Sequence, residues 1–95
     1  MHFERSKVIN KPAVPVRIFF TSGGSLKGFV FVSHEGRVLD AIDKREYFPL
    51  RTIAGMRLVR SSNIAWIEVL SYDDYLEDKA AFPEADEGYL RTQRW

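Results

Sequence analysis

The sequence predicts a single all-β domain: a small, five-stranded antiparallel barrel with a short helical turn and a short C-terminal helix. Its 95 residues suffice for one modest core. Several short segments alternate apolar with polar residues, which is the period of a half-buried strand, and turn-forming residues separate them. Hydrophobic residues make up 45% of the chain, enough for a packed globule.

The first two strands are predicted on either side of the turn at 22–25, whose two central glycines suit a hairpin tip. The alternation is regular over residues 14–21. Residues 26–33 are apolar on both faces, so we expect this second strand to be covered on both sides. Gly28 in its middle indicates a bend or bulge.

The next elements are less regular. The spacing of apolar residues over 37–44 favours a short helical turn. A strand is predicted over 47–53, with Pro49 at an edge or bulge because proline donates no ladder hydrogen bond. Residues 56–70 form the closing strand pair, broken at 61–63, with Ile64 and Trp66 on the face opposite Ile67.

Beyond residue 70 the composition changes. Ser71 followed by Asp74 indicates a helix start, and the helix should end before Pro83. Residues 83–95 are expected to form a tail unless another surface holds them down. The predicted organisation is an arm over 1–12, a barrel over 13–70, and an acidic helix and tail over 71–95.

Charge is unevenly distributed. Residues 1–70 carry 11 Lys and Arg against 6 Asp and Glu, whereas residues 71–95 carry 3 against 7. The net charges are therefore +5 and −4. A basic body suits nucleic acid, and an acidic segment can shield it or merely solvate the surface.

Several functional classes find little support. The chain has no cysteine, no apolar run of membrane-spanning length and no export signal, so a cytoplasmic protein is expected. His34 is the one plausible catalytic imidazole, and a surface turn explains it better. Asp40 and Asp43 suit a surface ion-pair cluster better than a catalytic or metal-binding pair. We predict no enzyme, cofactor, metal site or small-molecule substrate.

Two binding surfaces are predicted. Basic residues interleaved with aromatic rings are typical of RNA binding, and the candidates are Lys27, Arg57 and Arg60. The second apolar face instead indicates packing under the C-terminal helix or against another copy of the chain. The candidate interface residues are Phe19, Phe29, Phe31, Ile64 and Trp66.

The stretch from Gly55 through Arg57-Leu58-Val59 and Arg60-Ser61-Ser62-Asn63 to Ile64-Ala65-Trp66-Ile67 resembles the second motif of Sm-like proteins. The hairpin over 18–32, with Gly28 in its bent strand, is similar to the first motif. The resemblance implies a five-strand barrel, rings built by edge-strand pairing, and a pore that binds RNA.

The sequence departs from the Sm-like pattern within both motifs, and Pro12 and Pro15 disfavour the N-terminal helix with which several Sm-like proteins begin. Asp40 and Asp43 lack the accompanying asparagine of the first motif, and Arg60-Ser61 stands where the family has arginine-glycine. The stretch over 37–50 is also similar to small bacterial barrel domains with no assigned function. We therefore expect a non-catalytic module that self-associates into a homo-oligomer, with Sm-like RNA binding as the alternative.

Overall fold

A computed structural model describes residues 11–95 of the chain. The predicted arm over 1–12 lies mostly outside these residues. Five strands form one antiparallel sheet in the order β4-β3-β2-β1-β5. They are β1 (Ala13–Phe20), β2 (Ser25–Phe31), β3 (Tyr47–Thr52), β4 (Gly55–Arg60) and β5 (Ile64–Val69). Two short helices, α1 (Val38–Ile42) and α2 (Tyr72–Glu77), complete the regular structure.

The predicted five-stranded antiparallel sheet is confirmed, but the sheet is not closed into a barrel. β4 and β5 are its two edges, and no ladder joins them among residues 11–95. The 3₁₀ turn Ser61–Asn63 carries the chain from one edge to the other. Instead of closure, α1 covers the inner face, where Val38 joins the main core. Edge strands that do not meet keep unpaired backbone groups.

The inner face of the sheet forms the main core. It comes from alternate residues of each strand, so the two-residue period places apolar side chains on one side. Its buried members are Val14, Val16, Ile18, Val30, Val32, Val38, Phe48, Leu50 and Val59.

The outer face carries a second core over β1 and β2. Phe29 is 1% exposed, and the rings of Tyr75 and Phe82 lie 5.9 and 5.5 Å from its ring centroid. Leu70 and Ala13 complete the buried cluster, with Phe31 packed against it. The expected cover on both faces of β2 is therefore present, and the chain supplies both covers itself.

Local signals explain the elements. Gly23 and Gly24 have φ of 94° and 83°, which a glycine adopts without the steric cost of a Cβ, and they form the β1–β2 turn. The Ser71 hydroxyl accepts a hydrogen bond from Asp74 N at the start of α2, as predicted.

Gly28 allows β2 and β3 to approach each other closely. A Cβ built at Gly28 would lie 2.4 Å from the carbonyl oxygen of Arg51, so a side chain there would force β2 and β3 apart. Pro49 lies in β3, an interior strand by order, but at a position where β3 has no partner residue in β2, so it occupies a local edge of the ladder. Because β3 pairs with β2 only at Phe29 and Arg51, no residue of β2 requires a hydrogen bond from position 49. The absence of an N–H on proline is therefore tolerated.

The segment after α2 is held against the sheet rather than extending as a tail. Leu90 forms a parallel bridge with Ala13, and Arg91 N donates to Ala13 O. Arg94 Nη1 donates to the carbonyl oxygens of His34 and Gly36 at 3.1 Å. The backbone N–H of Val38 donates to Arg94 O, so this segment also fixes the start of α1.

Candidate interaction surface

The C-terminal residues cover only half of the outer face. Phe29 of β2, under Tyr75 and Phe82, is paired with Arg51 of β3 and therefore shares its face. From Arg51 outward, the β3–β4 register continues the same face. We call these outward residues of the β3–β4 hairpin the hairpin face: Tyr47, Pro49, Arg51, Met56, Leu58 and Arg60.

The hairpin face is apolar and open to solvent. Leu58 is 72% exposed, Met56 52% and Tyr47 48%. Ile53, in the turn between the two strands, is 64% exposed. Isolated surface leucines need no explanation, but a group of large apolar side chains on one hairpin is typical of an interaction site.

The positive charges around the hairpin face are of two kinds. The Arg60 guanidinium lies 3.3 Å from Glu46 Oε2 and 5.5 Å from the centroid of the Tyr47 ring, so it is already paired. Arg51 on the hairpin face, and Arg57 on the opposite face of β4, form no ion pair with any of residues 11–95 within 4.0 Å. The hairpin therefore presents cationic groups beside apolar ones.

The predicted RNA-binding residues do not share one surface. Lys27 Nζ is 2.7 Å from Asp78 Oδ2, which ties this lysine to the C-terminal layer. Arg57 is paired with buried Leu50, whereas Arg60 is paired with exposed Tyr47, so their side chains leave opposite faces of β4. A continuous basic and aromatic surface built from these three residues is not formed.

The predicted interface residues are also separated. Phe29 is covered within the chain and Phe31 is half-buried beside it, so neither presents an open face. Half-buried Phe19 and exposed Trp66 form a cross-strand stack, with centroids 4.4 Å apart and planes at 12°. Trp66 is 54% exposed.

Ile64 lies on the inner face, contrary to its predicted placement beside Trp66. The β1–β5 register changes from Phe19↔Trp66 to Phe20↔Ile64, which leaves Ala65 as an extra residue. Such a bulge reverses the alternation of side chains. Ile64 consequently packs against the main core.

The candidates for chemistry are dispersed. His34 is exposed in a turn, and the Asp40 carboxylate is held by Arg37 through hydrogen bonds of 3.1 to 3.3 Å. The Arg37 hydrogen bonds lower the pKa of Asp40. Asp43 is the exposed residue that ends α1. No three His, Cys, Asp or Glu side chains within residues 11–95 are grouped as a metal ion would require.

An ion-pair network joins the sheet to the C-terminal layer. Asp78 Oδ2 lies 2.7 Å from Lys27 Nζ and 3.6 Å from Arg17 Nη2, and Arg17 Nη1 also lies 2.5 Å from Glu68 Oε1. The hydrogen bond from Lys27 is the main reason that the pKa of Asp78 is lowered. These cations are therefore occupied by the chain's own carboxylates.

Comparison with known proteins gives no match: no family model, curated protein or solved structure is significantly similar to the chain. None of the helices between residues 11 and 95 has the length and apolar character needed to cross a bilayer.

Proposed function

We propose that the chain is a non-catalytic interaction module that self-associates. The observation that carries this proposal is the exposed apolar hairpin face beside an edge strand, β4, whose outer backbone groups have no partner strand among residues 11–95. Contiguous exposed apolar groups and open sheet edges both favour association. The exposed Trp66 ring at the other edge, β5, which stacks on Phe19, supports the same proposal.

Native mass tests the proposal. Size-exclusion chromatography with light scattering should give a mass above the 11.0 kDa of one chain. A wild-type chain that stays monomeric at the highest soluble concentration would refute self-association.

Leu58→Glu tests whether the hairpin face mediates it. Leu58 is 72% exposed, so the substitution should leave the fold intact while placing a charge in the contact. We expect the dissociation constant to rise about tenfold or more, as is common for central interface residues. The matched control is Leu39→Glu: Leu39 is 56% exposed, lies on α1 at the opposite face of the sheet, and should leave the mass unchanged.

Trp66→Glu separates the two surfaces. A loss of association with Trp66→Glu and none with Leu58→Glu would move the contact to the β5 edge. Circular dichroism and thermal unfolding of each variant establish that it is folded, so a change in mass reports on association.

The alternative proposal is the Sm-like RNA-binding barrel that the sequence resemblance implies, with Lys27, Arg57 and Arg60 contacting phosphates. No contact described above favours it. Recording absorbance at 260 and 280 nm during the mass measurement tests it directly, because co-eluting RNA would raise their ratio. Binding that weakens steeply with salt would then identify phosphate contacts.

A further inference from the structure

The outer side of the molecule consists of a raised half and a recessed half. Tyr75 and Phe82 lie over β1 and β2, so α2 and the residues after it stand above the sheet there. The β3–β4 hairpin continues the same face without any such cover. A step of this kind can fit its own copy, because a two-fold rotation brings each raised half over the other's recessed half.

The solvent-facing side of α2 carries acidic and apolar side chains that could pack against the hairpin face. Tyr75 points down into the second core. With 3.6 residues per turn, Asp73 and Glu77 therefore point away from the sheet, and Tyr72 and Leu76 lie beside them. Tyr72 and Leu76 are 42% and 43% exposed. We call these four residues the helix face.

The two faces carry charges of opposite sign, and each combines charged with apolar side chains. The helix face carries two carboxylates, and neither Asp73 nor Glu77 has an ion pair with any of residues 11–95. The hairpin face carries Arg51, which has no ion pair with any of residues 11–95, and Arg60, which is paired with Glu46, among exposed apolar side chains. Each face thus pairs apolar contacts with charges of opposite sign, which favours the correct register and disfavours like-with-like contact.

We propose that two copies of the chain associate face to face about a two-fold axis, with the helix face of each copy on the hairpin face of the other. This inference rests on the proposed self-association and specifies its surfaces and its stoichiometry. An isologous pair of this kind is closed, so it stops at two chains.

Charge reversal in two separate variants tests this pairing. The first variant is Asp73→Lys with Glu77→Lys, which turns the helix face basic. The second is Arg51→Glu with Arg60→Glu, which turns the hairpin face acidic. In a two-fold dimer each variant alone opposes like charges at both contacts, so each should be monomeric at concentrations where the wild type is dimeric.

Mixing the two variants should restore the dimer. The basic helix face of the first then meets the acidic hairpin face of the second, and the unchanged faces also meet as opposites. We expect a heterodimer of twice 11.0 kDa with a dissociation constant within about tenfold of the wild type. Isotope labelling of one variant and native mass spectrometry identify the mixed pair.

The possible outcomes distinguish a failure of self-association from a failure of this pairing. A monomeric wild type refutes self-association and this pairing together. An oligomeric wild type whose mass neither variant changes leaves self-association standing and refutes this pairing. Variants that dissociate but do not pair when mixed, or a wild-type mass that grows beyond two chains with concentration, also refute it.

A second pair of substitutions covers the case in which the Arg51 and Arg60 variant unfolds. Leu58→Glu and Leu76→Lys introduce one charge each at exposed positions of the two faces. Each alone should weaken the dimer, and their mixture should form heterodimers. Failure of this mixture to pair contradicts the proposal in the same way.

Discussion

At the scale of single residues, Asp78 is the carboxylate on which the attachment of the C-terminal layer depends. It accepts contact from Lys27 and Arg17, which lie on neighbouring strands, while it follows α2 in the chain. One side chain therefore links three elements. Because it is partly exposed, its contribution is that of a modest rather than a deeply buried ion pair.

The Asp78 ion pairs predict a pH-dependent stability. The pKa of Asp78 is lowered in the folded chain, chiefly by Lys27. A carboxyl with a lowered folded pKa stabilises the fold above its ordinary pKa, and this contribution is lost as the pH falls through the folded value. We expect Asp78→Asn to lower the free energy of unfolding by about 1 kcal/mol at pH 7.

Urea unfolding of the wild type and Asp78→Asn at pH 7 and at pH 2.5 checks this expectation. The difference between the two proteins should narrow at the lower pH, where the wild-type carboxyl gains its proton. Glu84→Gln is the control, because Glu84 is exposed and has no ion pair with another of residues 11–95. A difference that stays constant between the two pH values would exclude the ion pairs as its cause.

At the scale of elements, the second core makes the C-terminal layer part of the fold. Phe82 is 4% exposed and its ring packs against those of Phe29 and Tyr75. Phe82→Ala should lower the free energy of unfolding by about 3 to 5 kcal/mol, because it removes buried aromatic contacts and leaves a cavity. Without the Phe82 ring, Phe29 on the outer face of the sheet would become more exposed.

The measurement is urea unfolding of Phe82→Ala, with Ile53→Ala as the control. Ile53 is 64% exposed in the hairpin turn, and its truncation should change the free energy of unfolding by less than about 0.5 kcal/mol. Equal, small losses for both variants would mean that the layer packs only loosely on the sheet.

The sequence allowed most elements to be predicted because each depends on local signals. The strand alternation, the Gly23-Gly24 turn, and both helices, including the Ser71 cap, follow from neighbouring residues. What depends on distant contacts was not predictable. Two features require the tertiary structure. They are the extra residue Ala65 in β5, which turns Ile64 inward, and the packing of Phe82 on Phe29.

The candidate interaction surface could likewise be predicted only in part from the sequence. The sequence indicates the aromatic second face of β2, and the C-terminal helix is one of the two covers that it allows for this face. The hairpin face was missed because Met56 and Leu58 were assigned to a closing barrel strand. Alternation alone does not say which side of an edge strand another element will cover.

At the scale of the whole molecule, the separation of charge along the chain becomes a separation in space. The acidic residues of α2 stand on the raised half of the outer side, and Arg51 and Arg60 lie on the recessed half. The proposed dimer should therefore weaken as salt is raised, since ions screen exposed charges over about 10 Å at 0.1 M and about 3 Å at 1 M.

Sedimentation or light scattering between 0.05 and 1 M salt would measure this change. We expect the dissociation constant to rise several-fold over that range, with the thermal unfolding midpoint as the control for the fold itself. A dissociation constant that falls as salt rises would indicate an apolar contact without charge pairing.

The strand order also has a consequence for how fast the chain folds. β1 is an interior strand, yet its partner β5 is distant in sequence: Arg17 and Glu68 meet across 51 positions, and Arg94 reaches His34 across 60. Contacts of such separation require large loops to close before they stabilise anything, so folding should take milliseconds to seconds rather than microseconds. During that interval Phe29 should lie uncovered, and exposed apolar surface of this kind makes a partly folded chain prone to aggregation.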